Sequence, residues 1–177
     1  MKTIEMRPLG KTGLTASRMG IGLAALGRPA YINMGHEVDL AGHRDVAGLS
    51  LHTHHILDQA LAEGVSYFDA ARSYGKAEQF LASWIEGQEG TVHDIVVGSK
   101  WGYEYVADWQ TDVEVHEIKD HSLQMLDRQV HETLERLHDH LDIYQIHSAT
   151  EDSGVLHDAA VLLRLGELRS QGLLIGL

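Results

Sequence analysis

Short apolar runs alternate with longer amphipathic stretches along this chain, and no other feature of the sequence constrains its fold as tightly. The runs are RMGIGLAAL (Arg18–Leu26), VSYFDA (Val65–Ala70), DIVVGSK (Asp94–Lys100), LDIYQIH (Leu141–His147) and LLIGL (Leu173–Leu177). Each is bounded by polar residues or glycine, the pattern of a short strand. Between them, SLHTHHILDQALAEG, KAEQFLASWIEG, DHSLQMLDRQVHETLERLH and HDAAVLLRLGELRSQG have helical spacing. The third of these carries Leu123, Leu126, Val130, Leu134 and Leu137 at steps of three and four, one apolar stripe of a helix. Strands that are apolar almost throughout, alternating with helices, predict a parallel sheet covered by helices. The N-terminal IEMRPLGKTGLTASR differs. Gly10 to Gly13 suit the turn of a small β-hairpin placed before the first parallel strand. Five strands with about four helices open both a doubly wound sheet and a (β/α) barrel.

Bulk properties narrow the function classes. A length of 177 residues predicts one domain, 1–177, with a sizeable core. The chain has no cysteine, which excludes disulfide and thiolate chemistry and fits a reducing compartment. MKTIEMRPLG lacks the apolar segment of a signal peptide, and no stretch reaches the roughly 18 apolar residues of a membrane helix, so a cytoplasmic location is expected. The net charge of −12 argues against nucleic-acid binding, and the excess of Asp and Glu reads as solvated surface. The 13 histidines raise the question of a metal, above all HTHH (His52, His54, His55) and HDH (His138, His140). No partner motif follows at a recognisable interval, so no metal site is expected and a solvated or helix-end role is preferred.

The polar residues at strand ends point to chemistry. Asp69 closes the second run, Lys100 the third and His147 the fourth, and Tyr74 lies five residues past Asp69 in the loop AARSYG. In a (β/α) barrel, C-terminal strand ends open onto one face, the face where such barrels act. Any one of these residues could be a turn cap or a solvated side chain; four ionisable kinds at one rim suggest a site. A tyrosine with an ordinary pKa of about 10 is a weak acid unless a cation stabilises its phenolate. Lys100 could supply that charge, Asp69 could hold the ammonium, and His147 could orient a substrate oxygen or share the proton. Proton donation to a carbonyl fits this set better than acyl transfer, for which no nucleophile–base pair stands out.

PLGKTGLTASRMGIGLAALG, GVSYFDAARSYGKAEQFLASWI, VVGSKWG, LDIYQIHSA and LGELRSQGLLIGL together resemble the aldo-keto reductase family, in order and at family-like spacing, from about Met6 onward. The resemblance implies a (β/α)8 TIM-barrel fold with an N-terminal hairpin closing its bottom. It implies NADPH as hydride donor, reduction of a small aldehyde or ketone, Tyr74 as general acid, Lys100 lowering its pKa, and Asp69 and His147 as the supporting pair. It implies cofactor contacts at Gly22, Leu23, Ala24 and Asp69. The long loop Gly27–Gly48 and the stretch Trp101–Asp120 are expected to shape specificity. In the latter, Trp101, Tyr103, Tyr105 and Trp109 would line the mouth, with Trp101 and Tyr103 as substrate contacts, or any one of them would instead pack the long loop onto the barrel rim.

A barrel of this kind takes about 250 residues, whereas the present sequence supplies a hairpin, four strand–helix units and a fifth strand. The expectation is therefore a barrel truncated after strand five, most of whose cofactor site is missing, with little or no activity alone. Two alternatives stand beside the reductase reading. One is a non-catalytic, reductase-like regulatory module that associates with a partner or with itself through open sheet edges. The other is a different barrel enzyme, an isomerase or lyase, using the same acids and bases.

Overall fold

The computed structural model describes residues 4–30, 42–88 and 94–176. Half of the expected specificity loop Gly27–Gly48, residues 31–41, lies outside the described residues, as does Leu177 of the last apolar run.

Strands β1 (Met6–Pro8) and β2 (Thr15–Ser17) form an antiparallel hairpin, closed by the Leu9 N–H donating to the Leu14 carbonyl at 2.9 Å. Then follow β3 (Gly20–Gly22), α1 (Val46–Ala62), β4 (Tyr67–Asp69), α2 (Ala77–Gly87), β5 (Val96–Trp101), β6 (Tyr103–Tyr105), β7 (Glu117–Lys119), α3 (Leu123–Leu137), β8 (Ile143–Ile146), α4 (Ala159–Ser170) and β9 (Leu174–Gly176). The main sheet is parallel, in the order β3-β4-β5-β8-β9, so each strand pairs with its successor of the apolar runs. Among the described residues it is an open five-stranded sheet with β3 and β9 at its ends. β6 and β7 form a separate antiparallel ribbon within the stretch after β5. Their segments YEY and EIK are not apolar runs, so the ribbon is not legible in the sequence.

Local chemistry explains the element boundaries. Asp45, Ser122 and Asp158 cap α1, α3 and α4, each accepting a backbone N–H of the first helical turn. The first apolar run forms a strand only to Gly22. Leu23 turns the chain back, its carbonyl accepting the Leu26 and Gly27 N–H groups at 3.0 and 2.9 Å.

The two-residue period of the strands sorts their side chains. Phe68, Val97, Tyr144 and Ile146 pack against the helices with Leu57, Leu81, Trp84, Leu126, Val130 and Leu165. Full burial of each such aliphatic or aromatic side chain contributes roughly 1.5–3 kcal/mol. The other face carries Tyr67 and Asp69 of β4, Val96 and Lys100 of β5, and Ile143 of β8. Its N-terminal end is sealed by the hairpin: Ala16, Leu9 and Leu14 cover Val96, Ile143, Tyr67 and Leu174. Its C-terminal end carries the polar residues.

Candidate active site

Backbone pairing brings the strand ends level. Gly22 stands opposite Asp69, and Asp69 opposite Gly98, so Lys100 projects from β5 one pleat beyond Asp69. The ladder continues past the strands: Ala70 N–H donates to Gly98 O at 2.8 Å, Arg72 N–H to Lys100 O at 3.0 Å, and His147 N–H to Trp101 O at 2.8 Å. These bonds fix the loop that carries Tyr74 against the end of β5.

The four strand-end residues come together. Lys100 Nζ forms an ion pair with Asp69 Oδ2 and donates to the Ala70 carbonyl at 2.9 Å. The same ammonium lies 5.0 Å from the centre of the Tyr74 ring. The His147 ring meets the Tyr74 ring edge-on, 5.4 Å between centroids, and its Nδ1 is 3.4 Å from Ser73 Oγ. Burial pushes the Lys100 ammonium below its usual range, with Asp69 opposing that shift. Burial also pushes His147 down to about 4, and the Lys100 charge acts in the same direction. His147 is therefore a neutral imidazole near pH 7.

The expected substrate and cofactor contacts divide. Tyr103 lies against His147, 4.8 Å between ring centroids, and Lys119 stands 5.7 Å from its ring centre. Trp101 does not line the mouth. It is fully buried with Leu126, Val130 and Val161, because the residue after Lys100 on a strand must face the helices. Trp109 packs on Leu49 and Phe80 of α1 and α2 and donates its Nε1–H to the Arg44 carbonyl at 2.7 Å. Tyr105 Oη accepts the Trp109 backbone N–H at 3.2 Å, a local bond that closes the turn after β6. Gly22 faces open space where a side chain would stand. The Leu23 side chain is core, and only its backbone N–H reaches the site, donating to Asp69 O at 2.9 Å. The Ala24 carbonyl accepts from Arg28 Nε at 3.2 Å.

The sequence reading missed a buried polar network beneath the Tyr74 loop. Glu78, 2% exposed, accepts from Ser99 Oγ at 2.6 Å and Thr133 Oγ1 at 2.8 Å through one oxygen, and from Arg72 at 2.8 Å through the other. Arg72 also pairs with Glu132. Glu78 is not the solvated acid expected of a helix first turn; it ties α2, α3, β5 and the loop together. Tyr67, two residues before Asp69 on the same face, was likewise missed; burial and the neighbouring Asp69 push its phenol up. Among the histidines, His54 Nε2 bonds the Phe80 carbonyl and Ser83 Oγ, each at 3.0 Å, a structural contact between α1 and α2. No cluster of three or more metal-ligating side chains occurs among the described residues.

A model of the Aldo/keto reductase family matches residues 18–175. The chain belongs to that family. A relative in Bacillus subtilis (strain 168), the uncharacterised oxidoreductase YrpG, is 28% identical over 151 residues, covering 81% of this chain and 40% of its own. Among solved structures, PA4992 of Pseudomonas aeruginosa, an aldo-keto reductase by assignment, is 27% identical with a TM-score of 0.71, covering 97% of this chain and 58% of that one. The thermostable aldo-keto reductase Tm1743, solved with the inhibitor epalrestat, shares the fold at 21% identity and a TM-score of 0.63, covering 98% of this chain and 53% of that one. The chain thus spans roughly half the length of these relatives, and its parallel α/β sheet matches part of an aldo-keto reductase barrel. No helix among the described residues is long and apolar enough to cross a membrane.

Proposed function

We propose that these residues form the proton-transfer half of an NADPH-dependent reductase that converts an aldehyde or ketone to an alcohol, with Tyr74 as general acid. The observation that carries this reading is the Lys100 ammonium, ion-paired to Asp69 and 5.0 Å from the Tyr74 ring, with neutral His147 at that ring's edge. When bound, the cofactor supplies the hydride to the carbonyl carbon. Tyr74 Oη gives its proton to the carbonyl oxygen as negative charge develops there, and the phenolate left behind is stabilised by Lys100. Asp69 keeps the ammonium in place. Ser73 at Nδ1 leaves Nε2 of His147 as the ring nitrogen that orients the substrate oxygen, through a hydrogen bond rather than through charge.

The reactive end of a nicotinamide cofactor fits the residues present: the open space over Gly22 adjoins Asp69, and Tyr103 supplies an apolar ring beside His147 for the substrate. The phosphates find a poorer match. Lys100 and Arg28, the buried cations beside Tyr74, are paired with Asp69 and Glu117. We therefore expect a polypeptide of these 177 residues to bind NADPH weakly and to turn over little; a tryptophan-fluorescence titration giving micromolar or tighter binding would refute this. The catalytic assignment is tested in a chain extended to full family length. There, Tyr74→Phe should lower NADPH-driven carbonyl reduction by roughly 10²–10⁴-fold while leaving cofactor affinity unchanged. Full retention of reductase activity would remove Tyr74 from the mechanism and favour another barrel chemistry.

A further inference from the structure

Arg28 stands outside the set of four, yet it is built into the same face. It follows Gly27 in the loop after β3 and is only 6% exposed. Its Nε donates to Ala24 O at 3.2 Å, and one terminal nitrogen donates to Ser73 O and pairs with Glu117 Oε2 on β7, each at 3.2 Å. The guanidinium carbon lies 5.8 Å from the centre of the Tyr74 ring. One side chain thus joins the loop after β3, the loop that carries Tyr74, and the β6–β7 ribbon.

The backbone is shaped for this approach. A Cβ on Gly27 would fall 2.1 Å from Tyr74 O and 2.5 Å from the Ala77 methyl, and one on Gly75 would fall 2.4 Å from Gly27 O. The Lys76 N–H donates to Gly27 O at 2.7 Å across the same contact. Glycine at both positions lets the two loops interlock, and that interlock sets Arg28 against the Tyr74 ring. Burying a guanidinium is costly unless its donors are used, and a neutral side chain would bridge loops at less cost. The charge is retained here in a chain whose net charge is −12.

We propose that Arg28 is a positioning residue for the Tyr74 phenol, clasping the three active-face segments together and placing a second positive charge beside that ring in addition to Lys100. This deepens the reductase reading and rests on it. A strut would need only shape and hydrogen bonds. A charge that acts on the phenol also shifts the balance between phenol and phenolate, and does so in the same direction as Lys100.

The test uses the 177-residue chain labelled with tyrosine carrying ¹³C at Cζ, titrated by NMR. The Tyr74 resonance is identified by its loss in Tyr74→Phe. Lys100→Met tests the underlying reading, and Arg28→Gln tests the inference. Both should move Tyr74 ionisation to higher pH, Arg28→Gln by on the order of half a unit or more, and Arg28→Lys should recover at least half of that shift by restoring the charge. If Lys100→Met moves the titration and Arg28→Gln does not, Arg28 is a strut and the inference is overturned. If neither moves it, the reductase reading of Tyr74 and Lys100 fails with it. Should Arg28→Gln not fold, Glu117→Gln removes the counter-ion and leaves Arg28 in place. Ionisation of Tyr74 at lower pH then supports the inference, and an unchanged or higher midpoint overturns it.

Discussion

Val96 and Lys100 lie on the same face of β5, two pleats apart, in surroundings of different chemistry. Val96 sits at the hairpin end with Ala16, Ile143 and the partly buried Leu9, Leu14, Tyr67 and Leu174. Lys100 sits at the open end, paired with Asp69 and the Ala70 carbonyl, with Arg72, Glu78 and Arg28 fixing the loop that brings Tyr74 to it. The hairpin end depends on area removed from water, which has no direction and tolerates a change of shape. The open end depends on partners at fixed distances, so losing any one of them strands another in the interior. Strand pairing holds the scaffold rigid between the two, and that allows a reactive set to sit on a face whose other end is packed like a core.

The largest stability effect expected from this contrast is at Glu78. Glu78→Ala leaves Arg72 with Glu132 alone and removes the acceptor shared by Ser99 and Thr133. Breaking a buried ion pair from one side costs about 3–5 kcal/mol, measurable as a fall in the urea midpoint. The Tyr74 and His147 resonances should shift as well, because Arg72 lies in the Tyr74 loop. A loss below about 1 kcal/mol, the range of an exposed pair, would mean that the open end is not held by this network.

At the hairpin end, Ile143→Ala should cost about 2–4 kcal/mol through lost burial and the cavity left behind. Ile143 is 7% exposed and packs within the apolar plug. The His147 titration should not change, although His147 lies four residues further along the same segment. A shift of that titration would show that the two ends are coupled through β8, and the contrast drawn above would weaken.

What the sequence made legible follows the same division. The strands and helices were readable because apolar periodicity is a local signal; Asp69, Lys100 and His147 stood out because they end apolar runs, and Tyr74 because its loop follows one of those ends. Trp101 was misplaced although the information was present: with Lys100 facing the site, the two-residue period sends its neighbour under the helices. Trp109 could not be placed this way, since its packing on Leu49 and Phe80 joins segments far apart in the chain. Glu78 reads as an ordinary acid in a helical first turn. Its burial depends on Arg72, Ser99 and Thr133, which come from three other segments. Arg28 reads as a loop cation for the same reason. Polar positioning groups are specified by partners, and partners become visible only once the chain is folded.

The smallest effect is the one that separates the two ends by pH. His147 titrates at about 4 in the folded chain, against an ordinary value of 6.5, because burial and the Lys100 charge disfavour its imidazolium. The unfolded chain therefore binds a proton at this site more readily than the folded one. Its contribution is fully present above about pH 6.5 and is lost as pH falls toward about 4. The full shift sets an upper bound near 3 kcal/mol, and solvent screening of a partly exposed ring reduces this to about 2 kcal/mol. His147→Gln should flatten that part of the stability–pH curve, read by urea unfolding at pH 7, 6, 5 and about 4. Ile143→Ala should lower the same curve by an equal amount at every pH, because an apolar plug binds no protons. If the His147→Gln curve keeps the slope of the parent chain, the acid sensitivity of the open end lies in its carboxylates, and the imidazole is not the group that burial has committed to the neutral state.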